Sequence, residues 1–386
     1  MSAKVSLYDL LGDMVIYRDL DPVDSRLPRF TDAWREMGLP SAARPRKLEP
    51  TYAQALAWFI KRARVLDAPD AQLAELVFIG DNALSDGNAF RSLRSAGGWR
   101  GWAFIGSERD GEPSITEQEG VYTANRWLGL GQFISELRNQ GAALDVRTAV
   151  VVDIDKTALG ARGRNDGAID RARVAAIEAI AADALGNLFS LTDFRRAYAT
   201  LNVAKYHTFT ADNQDNLAYI CVMLGAGVST LEQLQDDIAA GRLTSFREFM
   251  DRMQRDRSAA RAVPSPAAPA VWALHDEIYA RVLAGDPTPF KAFRRREYRE
   301  TVARMGYLPD QTPLAQLLVE EICVTREVME AVIWLRGRGC LLMALSDKPD
   351  EATMPTPEAV AEGYLPLHRV ATHVVGQSIA RLLPPS

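Results

Sequence analysis

From about residue 45 to residue 158, short apolar runs alternate with amphipathic segments. "YAQALAWFIKRARV" carries Tyr52, Leu56, Phe59 and Ala63 at helical spacing, one face of a helix. "LVFIG" and "GWAFIG" follow as runs of strand length, then the helical pattern of "ANRWLGLGQFISELRNQG", then "TAVVVDID". Continuous apolar runs separated by helices predict a parallel sheet buried on both faces, hence an α/β fold. From about 168 to 325 the strand pattern stops, and "DRARVAAIEAIAADALG", "NQDNLAYICVMLG", "STLEQLQDDIAAG", "TSFREFMDRMQ" and "AVWALHDEIYARVLAG" read as successive helices. After "REVMEAVIWLRGRG" a strand returns in "CLLMALSDKPD", over Leu341 to Leu345. The expected organisation is a sheet core from 1–160 plus 326–386, with an all-helical domain of 161–325 inserted. The Pro- and Ala-rich stretch "AVPSPAAPAV", 262–271, is expected to join two halves of that insertion.

Composition narrows the function classes. A chain of 386 residues with 47% hydrophobic and 25% charged content can bury large cores and is expected to form two domains. The net charge of −5 gives no general electrostatic reason to expect nucleic acid or an anionic membrane as partner. Cys221, Cys323 and Cys340 are odd in number and widely spaced, which suggests neither a disulfide framework nor a zinc ribbon. No apolar stretch reaches the roughly 18 residues of a membrane span. A cytoplasmic, reducing setting is the expectation.

The chemistry lies where the strands end. "LVFI" leads into Gly80-Asp81 and then Asp86, "AVVV" into Asp153 and Asp155, and "LLMAL" into Ser346 and Asp347. Ligands of an open parallel sheet sit at the carboxyl ends of its strands. Carboxylates crowded there repel one another and lose solvation, so a cation or a reaction is expected to account for them. Oxygen donors without neighbouring Cys or His pairs suit Mg²⁺ better than zinc. The plainer readings are a turn pair for Asp153 and Asp155, an Asx-rich turn with a helix cap for Asp81 and Asp86, and a loop position for Ser346.

"DIDKT" resembles the Asp-x-Asp-x-Thr motif of the haloacid dehalogenase superfamily. "LMALSDKP" is similar to its second motif, a strand ending in Ser or Thr, and "IGDNALSD" to its fourth, Gly-Asp followed by another Asp. The third motif is a lysine at the head of a helix, and Lys47 in "RKLEPTYAQALAWFIKRARVL" takes that place. The order departs from the family's: lysine and acidic motif come before nucleophile and serine. A circular permutation accounts for this, and cuts of this kind are tolerated where termini lie close together at the surface. It requires the strand of Leu76–Ile79 to lie parallel and next to that of Val150–Val152, with Asp81 and Asp153 able to reach one ion. Residues 1–45 and 347–386 are assigned by elimination to the remaining edge of the sheet.

The resemblance implies a Rossmann-like sheet with a helical cap and a Mg²⁺-dependent phosphatase acting on a small-molecule phosphate ester. Asp153 would be the nucleophile that forms an aspartyl-phosphate, and Asp155 the acid that protonates the leaving oxygen and then activates water. Adjacent negative charge would raise the proton affinity that Asp155 needs. Ser346 and Lys47 would hold phosphoryl oxygens, and Mg²⁺ would sit on Asp153, the backbone carbonyl of Asp155 and Asp81, with Asp86 in support. A phosphonatase, dehalogenase or phosphotransferase on the same fold, or a binding protein with a relic site, stays open. Asp155 argues against the dehalogenase, because a halide leaves without a proton.

Other sequence features have plainer readings. Asp19 and Asp21 in "MVIYRDLDPVD" form a second Asp-x-Asp, but Arg18 interrupts the preceding strand and Pro22 stiffens the backbone after it. Only residues 22–46 lie between Asp21 and Lys47, too few for a serine strand and a cap. "KAFRRREYRE" gathers Lys291, Arg294, Arg295, Arg296 and Arg299, expected as a solvated helix face paired with Glu297 and Glu300 rather than an anion clamp. Tyr206 and His207 are candidates for a substrate-facing surface of the helical domain. His368 and His373 lack metal-ligand spacing and are expected to be structural.

Overall fold

The computed structural model of the protein describes residues 4–46, 49–258 and 268–385. Among the described residues ten strands are present: β1 (Lys4–Val5), β2 (Val15–Ile16), β3 (Glu75–Gly80), β4 (Arg100–Gly106), β5 (Ile115–Gln118), β6 (Val121–Ala124), β7 (Thr148–Asp153), β8 (Val324–Thr325), β9 (Leu341–Leu345) and β10 (Thr372–Val375). Seven make one sheet in the order β2-β9-β7-β3-β4-β6-β5. All neighbours in it are parallel except the β5/β6 pair. The sheet is therefore α/β and Rossmann-like in its layering, with helices between successive parallel strands.

β7 lies between β3 and β9, its Val150 opposite Val77 on one side and Leu342 on the other. The adjacency expected for Leu76–Ile79 and Val150–Val152 is present. Every residue of β3, β7 and β9 is buried. On one face Leu76, Phe78, Val151 and Met343 join a core with Tyr52, Leu56, Phe59 and Ala63 of the helix Pro50–Asp67. That helix buries the stripe its spacing predicts. The far edge is β2, which pairs with β9 and takes the place expected of residues 1–45.

Two features were not anticipated. Residues 115–124 form a hairpin, β5/β6, turning at Glu119 and Gly120 with φ of 54° and 83°. Both turn residues sit in the left-handed region, as a two-residue hairpin loop requires. β1, β10 and β8 form a separate three-stranded sheet, so residues 372–375 do not extend the main sheet as elimination suggested.

The chain divides into two compact units: Met1–Asp170 with Thr301–Ser386, and Arg171–Glu300. Residues 161–170 and 301–325, expected in the helical insertion, thus fall in the sheet unit. Asn165 ties them there, its amide donating to the carbonyls of Leu318 and Glu321 and its oxygen accepting from Cys323 N. Part of the expected linker, 262–267, lies outside the described residues.

The helical unit has its own core around the helix Gln214–Gly225, which is buried on all sides from Asp215 onward. The "KAFRRREYRE" segment corrects the sequence expectation at one residue. Arg294 is 2% exposed, not solvated, and holds Asp215 and Glu297, each at 2.7 Å. Arg173 adds a further bond to Glu297 at 3.1 Å. Burial of charge is tolerable because each partner is opposite in sign and hydrogen-bonded. Tyr206 is likewise buried in this core, its hydroxyl accepting from Gln235. Among the described residues no helix is long and apolar enough to cross a membrane.

Candidate functional site

Three strand ends build the site. Asp153 is the last residue of β7, and the main chain then turns through Ile154, whose N–H donates to Leu345 O at the end of β9. Lys156 takes φ of 65°, and Thr157 follows fully buried with its carbonyl bonded by the Thr325 hydroxyl. β3 ends at Gly80. Asp81 follows it, and Asp86 lies in the first turn of the helix Ser85–Gly97. One Asp86 oxygen accepts the amides of Asp81 and Asn82, each at 3.0 Å, which fixes the loop between strand and helix. Gly80 is required here: a Cβ on it would lie 2.5 Å from that same oxygen.

Asp81, Asp86 and Asp153 are all buried and offer carboxylate oxygens within 4.8 Å of one another. Burial comes first in pushing the Asp81 carboxyl up to about 7. The Arg162 guanidinium opposes it, and the Asp86 and Asp155 carboxylates reinforce it. The donor set is all oxygen, without His or Cys, and suits a hard divalent cation. A small cavity lined by Tyr52, Leu56, Phe78 and Leu345 also reaches Asp153 and Ser346.

Asp155 is not part of the three-carboxylate group. Its Oδ1 faces Lys348 Nζ at 3.2 Å, and the lysine side chain is only 4% exposed. Asp155 therefore has a positive charge beside it as well as the Asp81 carboxylate with which it interacts. Lys348 is fixed at its backbone, where its N–H donates to Ser346 Oγ at 3.1 Å and its carbonyl accepts from Arg18 N. Ser346 is 2% exposed at the end of β9.

The structure thus brings Asp81, Asp86, Asp153, Asp155 and Ser346 to one edge of the sheet. Lys47 lies outside the described residues. Two residues were missed. Lys348 stood within "SDKP", where a lysine two residues past a strand-end serine was the available signal. Arg162 had no sequence signal. Its Nε bonds Asp81 Oδ2, and Thr157 Oγ1 lies 3.5 Å from the other oxygen.

The second Asp-x-Asp lies at the other end of the β9 loop. Asp21 accepts from Phe30 N at 3.1 Å and from Arg44 at 2.8 Å, outside the three-carboxylate group. Its neighbour Asp350 is pushed up to about 7 by burial and by Asp19, Asp21 and Glu351, with Arg44 opposing. His368 bonds Asp13 at 2.9 Å and His373 bonds Glu321 at 2.7 Å, both fully buried as parts of hydrogen-bond networks.

Compared with known protein families, with curated proteins and with solved structures, the chain gives no match.

Proposed function

We propose that this chain is a Mg²⁺-dependent phosphatase of the haloacid dehalogenase type, permuted in motif order and acting on a small-molecule phosphate ester. One observation carries the reading: β7, with Asp153 at its tip, is flanked directly by the strands that lead into Asp81 and Ser346. Three motifs distant in sequence meet at the carboxyl edge of one parallel sheet, where such sites form.

In this reading an Asp153 oxygen attacks phosphorus in line with the leaving oxygen, giving an aspartyl-phosphate. Asp155 gives the leaving oxygen a proton and then takes one from the water that cleaves the acyl-phosphate. Before it can act as an acid Asp155 must take up a proton from solvent; until then its carboxylate is answered by the Lys348 ammonium that faces it. Once Asp155 is protonated, the ammonium becomes available to the phosphoryl oxygens alongside the Ser346 hydroxyl. Asp81, Asp86 and Asp153, with the backbone carbonyl of Asp155, would hold Mg²⁺, which neutralises charge on the phosphoryl group when bound. Lys47 keeps its proposed place as a further phosphate-binding cation.

The test is hydrolysis of an aryl phosphate by the full chain. Turnover is expected with Mg²⁺ and none after chelation. Absence of turnover across a panel of phosphate esters with Mg²⁺ present would count against the proposal.

A further inference from the structure

Arg162 lies seven residues beyond Asp155, in the loop that leaves the nucleophile strand. Its base is immobilised from three directions. Its N–H donates to Lys156 O at 2.8 Å, and its carbonyl accepts from Glu108 N at 2.9 Å and from Trp127 Nε1 at 3.2 Å. The next residue, Gly163, has φ of 77° and packs so closely on Glu108 that a Cβ would sit 2.0 Å from the Glu108 carbonyl oxygen. A loop held this tightly to the end of β4 delivers its arginine to one place. The side chain remains 34% exposed, so it approaches Asp81 from the solvent side of the site rather than from the core.

The charges explain why an arginine at this point is more than a structural partner. Among the described residues Arg162 bonds Asp81, and Lys348 faces Asp155. Arg162 bonds the same Asp81 carboxylate that belongs to the three-carboxylate group, so guanidinium and metal ion compete for it. A divalent ion seated on that carboxylate would take the place the guanidinium holds and leave its N–H groups to find another acceptor. An arginine fork matches two oxygens of a phosphoryl group.

Resting on the phosphatase reading above, we propose that Arg162 is an exchangeable counter-ion. It holds Asp81 until a divalent cation takes that carboxylate, and from its fixed base it then binds the anionic group of the substrate. Metal and substrate would accordingly load in that order, each step releasing the partner the next one needs.

Calorimetric titration of MgCl₂, then of inorganic phosphate into the Mg²⁺-saturated protein, tests this with wild type, Arg162→Gln and Arg162→Lys. Arg162→Gln is expected to bind Mg²⁺ roughly tenfold more tightly and phosphate roughly tenfold more weakly. Arg162→Lys should stay near wild type for Mg²⁺ and fall between the two for phosphate. A purely structural arginine would not move the two affinities in opposite directions. Equal or weaker Mg²⁺ binding by folded Arg162→Gln, or unchanged phosphate binding, overturns the exchange. In the wild-type protein the Arg162 Nε–H resonance must shift when MgCl₂ is added, and a resonance that stays put overturns it without any variant. Failure of the wild type to bind Mg²⁺ at all would instead remove the phosphatase reading on which the exchange rests.

Discussion

Lys348 places its ammonium 3.2 Å from Asp155 Oδ1, with 4% of its side chain exposed. A lysine so deeply buried persists when a carboxylate answers it. Here the carboxylate is the one assigned to proton transfer, and the serine that precedes the lysine caps its backbone. Replacing Lys348 by Met keeps most of the volume and removes the charge. We expect kcat/KM for an aryl phosphate to fall roughly 100-fold or more, with Lys348→Arg recovering part of the loss. Steady-state kinetics with circular dichroism as a folding control decide it, and wild-type activity in Lys348→Met would show the lysine to be structural.

The two Asp-x-Asp pairs are separable by single changes. Asp153→Asn should abolish turnover, because an amide neither attacks phosphorus usefully nor lends charge to a metal. Asp155→Asn should be nearly inactive while still binding Mg²⁺. Asp19→Asn should keep nearly full activity, since the Asp19–Asp21 pair lies outside the three-carboxylate group. Selective loss in Asp19→Asn would mean that the catalytic strand is β2.

Gly80→Ala tests the loop that positions Asp86. The added methyl would meet the Asp86 oxygen that accepts the Asp81 and Asn82 amides, so that oxygen must move and both amides lose their acceptor. A destabilisation of about 1–3 kcal/mol is expected from the lost bonds and overpacking. Mg²⁺ affinity should fall with it. Denaturant unfolding and metal titration of the same variant measure the two effects, and neither changing would mean that the strand end adapts.

Asp350 supplies a pH-dependent stability. Its carboxyl has an ordinary value of 3.8 and reaches about 7 in the fold, so the folded chain binds its proton more tightly than the unfolded chain. The protonated group therefore favours the fold at pH below 3.8, and this contribution is lost as pH rises to about 7. Asp350→Asn cannot ionise and escapes the loss. Its melting temperature should exceed that of wild type by a few degrees at pH 8, with the difference shrinking toward pH 4. A difference that does not depend on pH would exclude the titration.

In the helical unit, Arg294→Met strands Asp215 and Glu297 in the core and is expected to cost about 3–5 kcal/mol. Arg295→Ala on the exposed side of the same helix should change stability by less than about 0.5 kcal/mol. Thermal unfolding of both variants compares buried and solvated members of one basic run.

The central strands were legible because strands buried on both faces have no polar position to interrupt the run, as in "LVFI", "AVVV" and "LLMAL". Their polar ends showed the site edge for the same reason: polarity begins where the sheet stops. The small sheet was not legible, since β1 and β8 are two residues each and carry no period. The β5/β6 hairpin was missed because "ITEQ" is an exposed edge with little apolar content, although the Glu-Gly turn was a usable signal. Arg294 was misread because a run of arginines looks solvated until Asp215, distant in sequence, is known to face it. Arg162 reaches Asp81 only through a turn with a left-handed residue, a contact that no spacing rule foretells.

Because β9 completes one side of β7, and residues 154–340 separate the two strands, the order of synthesis leaves β7 half-covered. The entire helical unit leaves the ribosome before the strand that closes this edge exists. At ordinary translation rates of about 5–20 residues per second, Val150–Val152 wait roughly 10–40 s with an open backbone edge and apolar side chains on both faces. Such an edge is a template for pairing with other chains. The insertion that separates the two strands therefore also sets how long that edge stays open during synthesis.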